Sequence, residues 1–270
     1  MGETEFILKE FEQDVFSLTT PLWSRRETEG GAIMQSWLVR GKEKLMVIDS
    51  PTPQIPGFRK FIEDMFALPI VMVNTHGHVD HIGCNPQFEE VYMAQEDWSL
   101  AAGGGISRSS CQEAIRKLSY RLKEIREGDR FYLGDRILSV FSVPGHTKGS
   151  IVLWEESTGL LFSGDAIARR ILYGMSDWTP LEKYLEALRQ VNQLATRTIY
   201  SAHDDFPLSG EWAGKIIANI EEHLTDTSLE WISPVDGKVF TRILLGNGEA
   251  DENFFDFVIP KERMYTNGTL

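Results

Sequence analysis

The sequence predicts an α/β fold that carries its chemistry on loops at strand ends. Between residues 44 and 74, apolar runs of strand length flank a segment of helical periodicity. A dense histidine cluster, Thr75-His76-Gly77-His78-Val79-Asp80-His81, follows directly on one of those runs, Leu68-Pro69-Ile70-Val71-Met72-Val73. The chain has 270 residues, 42% hydrophobic and 25% charged, enough to bury a sizeable core as one domain or one domain with a small appendage.

The elements follow in chain order. Residues 1–50 read as strands joined by turns, among them 32–39 and 44–49 around Gly41-Lys42-Glu43. Residues 58–66 place apolar side chains at helical spacing, and a strand at 70–74 ends at Thr75. Residues 96–128 read as mostly helical, broken by Gly103-Gly104-Gly105, which is expected to be a surface connection, with a substrate-covering lid as the alternative. From 128 the pattern turns β, with 129–133 and 136–143 paired about Gly134-Asp135, then 150–154 and 159–163. An amphipathic helix is predicted over 180–194 with Pro180 near its first turn, then a short apolar strand at 198–202, then a helix over 210–224. The tail from 228 reads as β, with a turn at 235–238 and a second run at 254–259.

The cluster at 76–81 puts three imidazoles and a carboxylate into six residues, and it holds half of the six histidines of the chain. Imidazole is the commonest protein ligand for zinc, and carboxylates bind divalent metals too. A structural histidine usually stands alone, so this density reads as a metal site. Three further segments repeat one design, an apolar strand and small residues followed by a ligating side chain: Val143-Pro144-Gly145-His146-Thr147, Leu161-Phe162-Ser163-Gly164-Asp165 and Ile199-Tyr200-Ser201-Ala202-His203.

With these four segments the chain resembles the metallo-β-lactamase-fold hydrolases over roughly residues 15–225, in particular the glyoxalase II-like and lactonase-like branches. The resemblance implies an αββα sandwich, two mixed β-sheets face to face with helices outside, over residues 1–227. Residues 228–270 then form a β-rich extension packed on the core or in a homodimer contact. It implies that His76, His78 and His146 hold a first metal, that Asp80, His81 and His203 hold a second, and that Asp165 bridges both. The cofactors expected are two divalent ions, zinc first, with iron and manganese as alternatives. Two such ions lower the pKa of a shared water, and the hydroxide attacks a carbonyl with Asp80 orienting it as the catalytic carboxylate. No Gly-x-Ser-x-Gly elbow competes for the role of nucleophile.

The branch is harder to read. Zinc β-lactamases carry cysteine where Asp165 stands, which counts against β-lactam hydrolysis. Lactonases often carry tyrosine where Ala168 stands, and glyoxalase II enzymes bind glutathione through a helical tail, not a β-rich one. The flavodiiron oxidoreductases have Glu in place of His78. The function expected is hydrolysis of a small-molecule ester, thioester or lactone. The alternatives are a phosphodiesterase or nuclease of the same superfamily, and a non-catalytic metal-binding or redox protein. The aromatic residues Trp23, Tyr173 and Trp178 are candidates for an apolar substrate wall, with ordinary packing as the alternative. Arg169 and Arg170 are candidates to hold a substrate carboxylate or phosphate, with a solvated pair as the plainer reading.

Asp49 can accept the second N–H of a ligand histidine or serve as a turn residue, and Thr147 can hydrogen-bond at the site or shape its turn. Cys84 is expected to be packing and His223 a helix-surface residue. The net charge of −13 repels nucleic acid and anionic membranes, so neither is an expected partner. Two cysteines and an N-terminus without a basic or apolar signal region predict a cytoplasmic protein.

Overall fold

The computed structural model describes residues 5–21, 33–103, 108–174, 179–224, 229–232 and 237–261, and these form three sheets. The first has seven strands in chain order: β1 (Ile7–Glu12), β2 (Val15–Thr19), β3 (Ser36–Arg40), β4 (Leu45–Ile48), β5 (Ile70–Val73), β6 (Glu90–Ala94) and β7 (Arg121–Ile125). It is antiparallel through β4 and parallel from β4 to β7. The helices α1 (Phe58–Phe66), α2 (Val79–Ile82), α3 (Trp98–Ala101) and α4 (Arg108–Arg116) lie between its later strands.

The second sheet runs β14-β13-β11-β10-β9-β8, built from β8 (Arg130–Tyr132), β9 (Ile137–Ser142), β10 (Ile151–Glu155), β11 (Leu160–Gly164), β13 (Thr198–Ser201) and β14 (Leu208–Ser209). The helices α5 (Leu181–Val191) and α6 (Trp212–His223) follow β11 and β14. The third sheet joins β12 (Arg170–Leu172) to the tail in the order β12-β17-β16-β15, with β15 (Leu229–Ile232), β16 (Val239–Leu245) and β17 (Phe255–Pro260).

Side-chain alternation sorts the strands into four layers. Successive residues of a strand point to opposite faces, and the inner strands β3, β4, β10 and β11 are covered on both faces and almost wholly buried. Trp37, Val39, Met46 and Ile48 meet Val140, Leu153, Leu160 and Phe162 between the two sheets. The intervening Leu38 and Val47 face outward onto Phe58 and Ile62 of α1. On the other side, Val152 and Leu161 face Leu188 of α5 and Ile216 of α6. This is the α/β/β/α sandwich that the resemblance implied.

Two differences from the sequence reading stand out. Residues 121–125 form β7, not helix. Arg121, Lys123 and Glu124 favour helices in isolation, but this edge strand gains a parallel ladder to β6 along its whole length. The second difference is the partner of the tail strand Phe255–Pro260. β17 pairs in parallel with β12, and Phe255 and Phe257 are fully buried beside Tyr173 and Tyr184. Trp23, Trp178, Gly104, Gly105 and the turn at 233–236 lie outside the described residues. Among the described residues no helix is long and apolar enough to cross a membrane.

Candidate metal centre

The ligating segments are loops at one edge of the sandwich. Parallel strands β5, β11 and β13 deliver residues 74–78, 165–169 and 202–204 at their C-terminal ends, where open α/β sheets place their sites. The β9–β10 connection brings His146, and α2, which begins after His78, carries Asp80 and His81. The loops are tied across the sheets: Ile151 N–H donates to Thr75 O at 2.9 Å and Gln35 N–H to Ala202 O at 2.9 Å. Close approach demands glycine at Gly164, which sits at φ +52°, and there a Cβ would lie 2.2 Å from Thr75 Oγ1.

Seven side chains converge. His76, His78 and His146 form one group, His76, His81 and Asp165 a second, and Asp80, His81 and His203 a third, with the ligand atoms of each group within 4.8 Å of one another. Asp165 stands between the outer two groups. Its Oδ2 lies 3.4 Å from His146 Nε2, while its Oδ1 lies 3.3 Å from both His81 Nε2 and His203 Nε2. Asp80 Oδ2 completes the far side, 3.4 Å from His203 Nε2.

The fit to cations rests on what these atoms lack. His76 Nε2, His81 Nε2 and Asp165 Oδ1 are buried without a hydrogen-bond partner. Buried polar atoms are nearly always paired, so three such atoms aimed at one space form a donor set that fits a cation. The opposite ring nitrogens are held. His81 Nδ1 lies 2.9 Å from Asp49 Oδ2, and His146 Nδ1 lies 2.7 Å from the Leu172 carbonyl. His203 Nδ1 meets the Ile33 carbonyl, and His76 Nδ1 lies 3.1 Å from Thr75 Oγ1. Protons on these Nδ1 atoms turn each Nε2 into the site, as a lone pair on His76 and His146 and, on His81 and His203, as one once the second ring proton has left. His78 is turned the other way, with its Nδ1 2.7 Å from His146 Nε2.

Protonation divides the centre. Burial, reinforced by the neighbouring histidines, holds His76 well below its usual range and takes His78 down to about 3. Burial also lowers His146, so this group is neutral and ready to ligate. Burial opposes the charge on His81 too, but Asp165, Asp49 and Asp80 outweigh it and raise the group to about 10. His203 is raised well above its usual range against burial, by Asp165 and then Asp80. The two carboxylates respond in kind, both held below the usual range against burial, Asp80 by His81 and His203, Asp165 by His203 and His81.

Residues 33–203, which hold all seven of these side chains, match the profile of the metallo-beta-lactamase superfamily. The chain belongs to that superfamily. The human acyl-coenzyme A thioesterase MBLAC2 is 29% identical over 197 residues, 63% of this chain and 71% of the human protein. The hydroxyacylglutathione hydrolase of Gloeothece citriformis is 33% identical over 147 residues, half of each chain. A metallo-beta-lactamase from Pontibacter korlensis superposes with a TM-score of 0.63 at 17% identity, over 81% of this chain and 100% of its own, a likeness of fold.

Several residues that support this superfamily site gave no signal in the sequence. Asp97, fully buried, accepts Gly77 N–H and Gly149 N–H at 2.8 Å each and the Thr147 hydroxyl at 2.6 Å. It bolts the His76–His78 loop to the His146 loop. Burial pushes its carboxyl up against the pull of those three donors. Asp204 accepts Arg169 Nε–H at 2.8 Å and the Ser201 hydroxyl at 2.6 Å, and so steadies His203. A lone aspartate in a turn is read as a cap or turn residue, and nothing in its spacing separates these two from the rest. Asp49 takes the role of histidine partner and also accepts both Thr75 N–H and the Thr75 hydroxyl at 2.7 Å. Cys84 lies off the ligand set, buried, with its thiol pushed up to about 11 by that burial. His223 ends α6, partly exposed.

A cavity of about 350 Å³ opens onto His78, Asp80 and Asp165. Tyr173, expected on its wall, is instead fully buried in the core with its hydroxyl on the Thr179 carbonyl. The preceding residue in the strand, Leu172, faces the cavity in its place. Arg169 lines the cavity but is 2% exposed and engaged by Asp204, so it is not a solvated residue. Arg170 is half-exposed and paired with Glu249 and Asp256 at 2.8 Å each. A more open cleft of about 650 Å³, beside Trp98 and Cys111, contains none of the seven converging side chains.

Proposed function

We propose that this chain is a hydrolase that holds two divalent cations, zinc in the first instance, and cleaves a small-molecule ester or thioester. The observation that carries the reading is the trio of orphaned atoms on His76, His81 and Asp165, with Asp165 facing a histidine group on either side. His76, His78 and His146 would hold one cation, Asp80, His81 and His203 the other, and Asp165 would lie between. Bound there, the cations supply Lewis acidity and make a water acidic enough to serve as nucleophile near neutral pH.

The remaining work falls to the chain. Asp80 is part-exposed at the cavity and held ionised, so its carboxylate can accept a hydrogen bond from the attacking water and fix its direction. The carbonyls of Leu172 and Ile33 and the Asp49 carboxylate stop the ligand rings from rotating, which keeps the floor rigid during attack. Ile33, Leu172 and Phe254 give the cavity apolar walls that suit an acyl group and exclude water. The activities named for the human and cyanobacterial relatives support an acyl substrate and put thioesters before lactones.

Elemental analysis of the purified protein, with a screen of esters, thioesters, lactones and phosphodiesters, tests the reading. The expected result is about two metal ions per chain and cleavage of acyl substrates that is lost with chelator and restored by zinc. A metal-replete protein that cleaves only phosphodiesters, or nothing, overturns it.

A further inference from the structure

Two residues far beyond the superfamily-matched segment reach the cavity. Glu249 and Phe254, on the turn between β16 and β17, line it together with His78, Asp80 and Asp165. We propose that this turn selects the acyl group, Phe254 limiting its length and Glu249 rejecting groups that end in an anion. The inference rests on the hydrolase reading above.

The turn is built as a rigid wall. Asp251 closes it, accepting Asn247 N–H on Oδ2 and Asn253 N–H on Oδ1 at 2.9 Å each. Gly246 and Gly248, at φ +82° and +101°, allow the tight path. The wall is then fastened to the loop that carries Asp165. Arg169 Nη1–H donates to the Glu249 carbonyl at 2.6 Å, Arg170 pairs with the Glu249 carboxylate at 2.8 Å, and Asp256 N–H donates to the Arg169 carbonyl at 2.9 Å. Phe254 is 4% exposed, with the guanidinium carbons of both arginines 5.7 Å from its ring centre. A wall pinned at this many points discriminates by size, because it cannot retreat cheaply from a longer substrate.

Charge supplies the second criterion. Arg169 is committed to Asp204 and Arg170 to Glu249 and Asp256. Two guanidinium groups here face three carboxylates, Asp204, Asp256 and Glu249, so the part-exposed Glu249 tips this side of the cavity negative and leaves no unmatched cation to receive an incoming anion. A neutral, apolar acyl group meets Ile33, Leu172 and Phe254 with no such penalty.

The test compares wild type, Phe254→Ala, Phe254→Leu and Glu249→Gln, each metal-loaded, on straight-chain acyl thioesters from acetyl to dodecanoyl and on glutaryl thioester. Metal content and melting temperature are read in parallel. Phe254→Ala is expected to raise the long-to-short ratio of kcat/KM by about tenfold, and Phe254→Leu less, in the same direction. Glu249→Gln is expected to raise the glutaryl-to-pentanoyl ratio by about tenfold. Variants with full metal content and unchanged ratios overturn the inference, even where their overall rate falls. If wild type cleaves none of these thioesters and no ester of the screen above, the hydrolase reading fails on its own. The corresponding affinity ratios are then read from calorimetric binding of decanoate, pentanoate and glutarate, and unchanged ratios there overturn the selective role of the turn.

Discussion

The two aspartate-rich and histidine-rich halves of the centre differ in their resting protons, and this has a measurable consequence. His81 and His203 hold protons in the cation-free protein because Asp165 faces both, while His76, His78 and His146 do not. A cation can use an imidazole nitrogen only after its proton leaves. Filling the Asp80–His81–His203 group must therefore release protons, and its affinity must rise with pH through neutrality. Titration of zinc into chelator-treated protein in buffers of different ionisation enthalpy should show release approaching roughly two protons for that event and little for the other. Equal release at both would remove the distinction. Substitution separates the residues further. His78→Ala touches one group and should leave about one ion per chain, whereas Asp165→Ala, between the groups, should leave less than one, by elemental analysis. The ligating types were legible in the sequence because few packing roles compete for clustered histidines. Asp97 and Asp204 were not, since a buried carboxylate declares itself only through the donors that folding brings to it.

At the scale of elements, the site depends on loops from both sheets meeting. Asp97 joins the β5–α2 loop to the β9–β10 loop through three hydrogen bonds. Asp97→Ala would orphan the buried Gly77 and Gly149 N–H groups at roughly 1–3 kcal/mol each, while the Thr147 hydroxyl keeps Ser150 Oγ at 2.8 Å, so a loss of at least about 2 kcal/mol in urea unfolding is expected. Weaker metal binding should accompany it. A loss under about 1 kcal/mol would show that water replaces the carboxylate at little cost. Gly149 reflects the same constraint, since a Cβ there would lie 2.6 Å from the Asp97 carboxyl carbon. Most strands of the two large sheets were legible because their apolar runs are long and bounded by turns. β7 and β12 were not, for different reasons. β7 is an edge strand rich in helix-favouring charge, and β12 is three residues long and gains its partner from the tail, more than eighty positions later.

The whole molecule carries a net charge of −13 while its centre gathers cations. An anionic thioester must approach against the outer field before it meets the inner one. At about 0.01 M salt the screening length is roughly 30 Å, and at about 0.15 M roughly 8 Å. Over that range kcat/KM for an anionic thioester should rise several-fold, while that for an uncharged ester stays constant. A fall with salt for the anionic substrate would place the dominant field at the site itself. The layered sandwich also separates two tasks in space. The seven converging side chains come from segments ending at His203, whereas Glu249 and Phe254 arrive on a hairpin paired to the core through β12. Exchange of that hairpin between kindred proteins would retune what is admitted without disturbing what performs the cleavage, so a common engine could serve different fuels through one replaceable part.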